Sequence, residues 1–127
     1  MPNTTYLSDQ IITTLIAGAR FVSEHTGDPG AAGANEVTTG IDTAYVRKAA
    51  TLVKTALGSL YQAKNNADVV FNAAGAGASY TVRYLGIWSA VSGGNLLAVL
   101  ALPGSGLPVV AGTINTFATN DIVVIGG

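Results

Sequence analysis

The chain has no cysteine, so disulfides and thiolate metal sites are both unavailable, and stability has to come from packing, hydrogen bonds or assembly. It has one histidine, His25, which excludes any site built on two imidazoles. A metal would need His25 with Glu24 and Asp28, yet in a strand Glu24 and His25 point to opposite faces. Charged residues make up 10% of the 127 residues, against a usual quarter, and the formal net charge is −1. Such a chain projects no field toward nucleic acid or an anionic membrane. The basic residues Arg47, Lys48, Lys54 and Lys64 are too sparse for a nucleic-acid surface and are expected in intersubunit ion pairs. No apolar run reaches a membrane span: the longest, Asn95 to Val110, is interrupted by Pro103, Gly104 and Gly106. The N-terminus carries no basic region followed by a small-residue cleavage site, so the chain reads as a soluble, unprocessed product.

Motifs of catalysis are equally sparse. Ser23 or Ser89 could be set beside His25 on paper, but no G-x-S-x-G elbow is present. The carboxylates Asp9, Glu24, Asp28, Glu36, Asp42, Asp68 and Asp121 are scattered singly, and turn, cap or solvated-loop roles are expected of them ahead of a glycosidase pair. The glycine-rich stretch at Gly75 has neither the Walker lysine nor a dinucleotide fingerprint and reads as a linker. The expectation is therefore no enzyme, no cofactor, no metal, no nucleic acid and no membrane.

What is present centres on Ser79 to Leu102. Read as a long strand, a Ser-Gly-Gly turn and a return strand from Asn95 to Leu102, it places Tyr80, Val82, Tyr84, Gly86 and Trp88 on one face and Thr81, Arg83, Leu85 and Ile87 on the other. Both faces are largely apolar, which demands cover on both sides, from the same chain or from a neighbour. Before it, Leu7, Ile11, Ile12, Leu15 and Ile16 recur at helical spacing, with Thr4, Thr5 or Ser8 as N-cap and Gly18 as C-cap. Arg20 to Thr26 has strand composition and runs into a loop, Gly27 to Gly40, long enough to suggest contact with a partner. Strands are expected at Ala44 to Ala50, Val69 to Asn72, Val109 to Ala111, Ile114 to Ala118 and Asp121 to Ile125, closed by Gly126 and Gly127. Leu52 to Ala63 is open between helix and strand, because Ala, Leu and Lys favour helix locally while the context is β.

These elements predict one domain spanning 1–127: a mainly β, compact antiparallel β-sandwich, jelly-roll-like, over 20–127, with one short N-terminal α-helical segment over 1–18.

The stretches FVSEHTGDPGAAGANEV, AYVRKA and YLGIWSAVSGGNLLAVLAL resemble a group of small tailed-bacteriophage virion proteins, usually labelled tail fibre, minor tail or head decoration proteins. The resemblance covers Phe21 to Val37, Ala44 to Ala49 and Tyr84 to Leu102, and departs after Ala50. It implies a non-enzymatic β-sandwich carried in many copies on a phage particle and made in the host cytoplasm. Capsid decoration or cementing is expected first, because the chain has no heptads or β-helix repeats from which to build a shaft. A tail fibre or minor tail protein, or a module adsorbing to host glycans, is the alternative. The expected partners are copies of the chain itself and phage major capsid or tail proteins. The expected contact residues are Leu7, Ile11 and Leu15 of the helix, Asp28, Pro29, Asn35 and Glu36 of the loop, and the aromatic stripe Tyr80, Tyr84 and Trp88. Deletion of Gly30 to Gly40 is expected to detach the protein while sparing its fold.

Overall fold

A computed structural model describes residues 4–126. Met1 to Asn3, where the expected N-terminal segment begins, and Gly127, expected to close the last strand, lie outside the described residues.

Helix α1 spans Thr5–Leu15. Thr4 caps it, its hydroxyl accepting from the Leu7 N–H at 3.2 Å. The buried face is Ser8, Ile12 and Leu15, and Ser8 Oγ accepts from the backbone N–H of Tyr61 at 2.8 Å, pinning the helix to a strand. The C-terminus differs from expectation. Ile16, not Gly18, is the C-cap, and the Arg20 guanidinium donates to the carbonyls of Thr14 and Leu15. A cation on the last carbonyls does what a glycine cap would do, and complements the helix dipole as well.

The strands are β1 (Arg20–His25), β2 (Lys48–Ala50), β3 (Leu52–Leu57), β4 (Leu60–Asn65), β5 (Val69–Val70), β6 (Ser79–Val82), β7 (Tyr84–Trp88), β8 (Leu96–Ala101), β9 (Leu107–Val110), β10 (Thr116–Phe117) and β11 (Val123–Ile125). They form a four-stranded sheet in the order β2-β1-β7-β8, a three-stranded sheet β11-β4-β3, and the pairs β10-β5 and β6-β9. Every pairing is antiparallel. The fold is thus mainly β, a sandwich-like arrangement of antiparallel sheets with one short helix.

The expected long strand is in fact two. Arg83 breaks it: its N–H donates to His25 and its carbonyl accepts from Leu102, so the chain turns a corner there. β6 pairs with β9, while β7 lies between β1 and β8. The segment left open at Leu52 to Ala63 is a hairpin, β3 against β4, with Leu57 opposite Leu60. Its turn uses Gly58 at φ +58°, a conformation that suits glycine and fits the twist of a two-residue hairpin. The strand expected from Ala44 is shortened to Lys48–Ala50, and that expected over Val69 to Asn72 to Val69–Val70.

Alternation in the four-stranded sheet decides what each layer holds. Val22 and Glu24 of β1 share a face with Ile87 and Leu85 of β7, and this face meets the core. There Tyr45 stacks on Phe71 at 6.3 Å between ring centroids, and Phe71 meets Phe117 edge-on at 6.0 Å. The opposite face carries Phe21, Ser23 and His25 beside Trp88, Gly86 and Tyr84. The cover that this second apolar face requires is the chain's own Gly27 to Gly40 loop.

Glu24 is the one carboxylate on the core side of β1. It is 1% exposed, its carboxylate accepts from Asn115 Nδ2 at 2.7 Å, and its backbone N–H donates to the Tyr45 hydroxyl at 3.0 Å. Burial pushes its pKa up to about 7; the Asn115 hydrogen bond opposes that shift and the Asp42 charge adds to it. Between the ordinary carboxylate value and pH 7 the folded chain therefore holds a proton that the unfolded chain has released, and stability falls as pH rises through this window. His25, whose pKa burial depresses, works in the opposite direction. The difference between wild type and Glu24→Gln isolates Glu24. In urea titrations the two should match near pH 4, below the ordinary carboxylate value, and the variant should be more stable by about 1–3 kcal/mol at pH 8. Equal gaps at both values would refute the assignment.

Candidate functional site

The Gly27 to Gly40 loop is held by its own residues. Asp28 Oδ1 accepts from the Gly30 N–H at 2.9 Å, and the Asp28 carbonyl accepts from Asn35 Nδ2 at 3.0 Å. The Pro29 carbonyl accepts from the N–H groups of Gly33 and Ala34 at 3.0 and 2.7 Å. Asn35 takes φ +63°, which an asparagine tolerates better than most side chains. A Cβ at Gly33 would overlap the six-membered ring of Trp88, so only glycine lets the loop lie this close to the sheet.

Arg47 fastens that loop to two other segments. Its Nε and Nη2 donate to the two carboxylate oxygens of Glu36, each at 2.9 Å, while Nη1 donates to the carbonyls of Ala90 and Gly93 at 3.0 and 2.8 Å. The guanidinium carbon lies 3.7 Å from the Trp88 ring centroid. Burial works to raise the Glu36 pKa, but the Arg47 hydrogen bonds and one from the Tyr45 hydroxyl at 2.8 Å hold it below the ordinary value. The fork is fixed on every side, a role for which lysine lacks the geometry.

Under Trp88 runs a buried chain of hydrogen bonds. His25 Nδ1 lies 2.8 Å from the Ala34 carbonyl, which only accepts, so Nδ1 carries the proton. Nε2 then accepts from the Ser23 hydroxyl at 2.6 Å, and Ser23 Oγ accepts from Trp88 Nε1 at 2.7 Å. This is a neutral imidazole, consistent with a pKa that burial pushes down. The Ser-His pair conceivable on paper from Ser23 is thus in contact, yet both residues are fully buried and the third partner is a backbone carbonyl, not a carboxylate. Gly86 is required directly beneath, where a Cβ would strike Ser23 Oγ.

The expected contact residues separate into several groups. Leu7 and Ile11 are exposed on α1, while Leu15 is buried. Asp28 and Asn35 are exposed with their side chains engaged in the loop, Pro29 is buried, and Glu36 is bound to Arg47. The aromatic stripe does not exist as one surface: Trp88 is 7% exposed under Arg47 and Gly33, and Tyr80 sits in the β6-β9 pair, its hydroxyl donating to Asp42 Oδ2 at 2.8 Å. Only Tyr84 keeps partial exposure beside Trp88 on β7. The basic residues expected in intersubunit pairs are used within the chain in two cases, Arg47 with Glu36 and Lys54 with Asp9. Because the loop closes the sheet, its deletion should unfold the chain and not merely detach it.

An open surface lies at the flank of the sandwich. Leu7, Ile11 and Leu15 of α1, Leu97 and Ala98 of β8 and Val124 of β11 line a groove of about 420 Å³ that has no charged residue in its walls. Tyr6 of α1 at 74% and Val99 of β8 at 41% are exposed apolar side chains of the same two elements. Leu97 and Val99 were not singled out as contact residues from sequence; the two-sided apolar pattern of Asn95 to Leu102 was the signal that could have found them.

A family model described as podophage GP4 fiber I protein gp80 matches residues 3–125. The chain belongs to this family. Membership makes it a phage fibre-type virion protein, and the match favours the tail-fibre alternative over capsid decoration. No curated protein matches the chain. In this gp80-family chain, the motif residues that carried the resemblance, from His25, Asp28, Pro29, Gly33 and Glu36 to Arg47, Gly86 and Trp88, are the ones that clamp the loop onto the sheet.

Trp88 is the only tryptophan, so its emission reports on this clamp alone. Arg47→Met leaves Glu36 without its cation and should cost about 2–4 kcal/mol with a red-shifted emission; Arg47→Lys should keep the charge but lose the fork and fall between. Urea midpoints and emission maxima that do not move would refute a clamping role.

Proposed function

We propose that the chain is a non-enzymatic structural component of a podophage tail fibre, made in the host cytoplasm and assembled on the particle with copies of itself and with neighbouring tail proteins. The observation that carries this reading is the fibre-family match over residues 3–125. Support comes from the chemistry. The Ser23–His25 pair is enclosed and serves the loop, Glu24 is sealed in the core, and among the described residues no group of three or more His, Cys, Asp or Glu is placed to hold a metal. The surface is short of charge but exposes large apolar side chains on α1, at Tyr6, Leu7 and Ile11, and elsewhere at Ile41, Val46, Val70, Val91, Val110 and Ile114. Exposed apolar side chains on several elements suit a part with neighbours.

Immunogold labelling of purified virions with an antibody raised against this chain tests the placement. Label at the tail appendages is the expected result. Label distributed over the head would replace the fibre reading with decoration, and virions without label would end both.

A further inference from the structure

Every antiparallel sheet that is not closed has two edge strands, each with a row of backbone N–H and C=O groups facing outward. In this chain most edges are short or charged. β2 and β11 have three residues, β5 and β10 two, β6 and β9 four, and β9 includes Pro108. β3 has six residues but carries Lys54, which pairs with Asp9. The exception is β8, Leu96–Ala101, six residues of sequence LLAVLA with no charge, proline or glycine.

The register shows which of its groups are free. Leu102 donates to the Arg83 carbonyl, so, with the two-residue alternation of an antiparallel ladder, Leu100 and Ala98 face β7, and Val99 and Ala101 turn their backbone groups to the open edge. The ladder's irregularity falls at the Leu96 end, opposite Ile87 and Trp88, leaving Ala98 to Ala101 regular. No side chain or loop caps this edge among the described residues. Beside it lies the uncharged groove over Leu7, Ile11 and Leu15.

We propose that β8 is a strand-addition edge whose occupant is β8 of a second copy of this chain, the two four-stranded sheets joining through an antiparallel β8–β8 seam. The inference rests on the structural role proposed above and names the surface through which copies meet. A strand laid along β8 continues both faces of the sheet, so it has to be apolar on both: one side covers the groove against α1 and the other lies beside Val99 and Ala101. β8 meets that requirement itself, with Ala98 and Leu100 on the core side, opposite Ile87 and Leu85, and Leu96, Val99 and Ala101 on the side of Trp88, Gly86 and Tyr84. Antiparallel pairing about a two-fold axis also lets one surface serve both partners, and the absence of charge in the groove walls leaves nothing to repel an identical copy.

The test compares the purified wild-type chain with Val99→Lys and with Val110→Lys, a control at a more exposed apolar position on β9. In sedimentation equilibrium, wild type and Val110→Lys should show twice the monomer mass at high micromolar concentration and Val99→Lys the monomer mass. Amide exchange at Val99 and Ala101 should be about tenfold faster or more in Val99→Lys, with the core strands unchanged. A monomeric wild type, an unaffected Val99→Lys dimer, or loss of the dimer in Val110→Lys would each overturn the seam. Incorporation into virions separates this from the fibre reading. A wild-type chain that is monomeric yet needs an unsubstituted Val99 to enter virions would show that β8 receives a strand of another virion protein, which overturns self-pairing and leaves the fibre role standing.

Discussion

The Arg47 guanidinium is bounded by a carboxylate, two carbonyls and an indole, and the order of three segments depends on it. Glu36 belongs to the loop, Ala90 and Gly93 to the β7–β8 turn, and Trp88 to the sheet between them. Neither the loop nor the turn is regular secondary structure: the loop has one isolated bridge, Glu36 with His25, and the turn has Gly93 and Gly94 at positive φ. A five-donor planar cation can satisfy acceptors from both at once and still lie flat on an aromatic ring. With Trp88 held from above by Arg47, its Nε1–H is fixed toward Ser23, and through His25 the same chain of contacts returns to the loop at Ala34. The cluster closes on itself, so loss of one member releases the others.

The scarcity of charge follows the same pattern. Arg20 caps α1, Arg83 donates to the Ser105 carbonyl, Asp42 accepts from Gly75, Ala44 and Tyr80, and Asp68 accepts from Thr119. Among the described residues no buried side-chain nitrogen or oxygen lacks a partner. The few ionic groups are mostly committed to internal geometry, which is why the outside is left apolar and nearly neutral. The apolar pattern of the central strand called for cover on both sides, from the same chain or from a neighbour. The loop supplies that cover from within the chain.

Much of this was legible in the sequence, and the failures have a common cause. The alternation of Tyr84, Gly86 and Trp88 against Leu85 and Ile87 was read correctly because side-chain period is a local property. The break at Arg83 was not visible, because it depends on β9 capturing β6, a partner some thirty residues away in the chain. The β3–β4 hairpin was hidden by helix-favouring Ala, Leu and Lys residues that its tertiary pairing overrides. The site shows the same limit. The need for cover on both faces of β7 followed from its residues, but nothing local could say that the cover was Gly27 to Gly40, or that Arg47 faced inward.

The division between a closed face and an open flank bears on how such a chain can build a fibre without shaft-forming repeats. A sheet whose outer face is sealed by a loop cannot stack face to face on another copy. In the fibre role proposed above, growth would use edges and the helix side, where backbone groups give direction and apolar side chains give area. Side-chain faces fix the register of a neighbouring strand where one side is buried and the other is not, because a one-residue slip exchanges the two sides of a strand. On β8 both sides are apolar, so register is set less by side-chain identity than by the irregularity at Leu96 and the wall of α1. Loop closure over Trp88 and the open flank at β8 are therefore two results of one constraint: covering one face from within leaves the edge as the open surface.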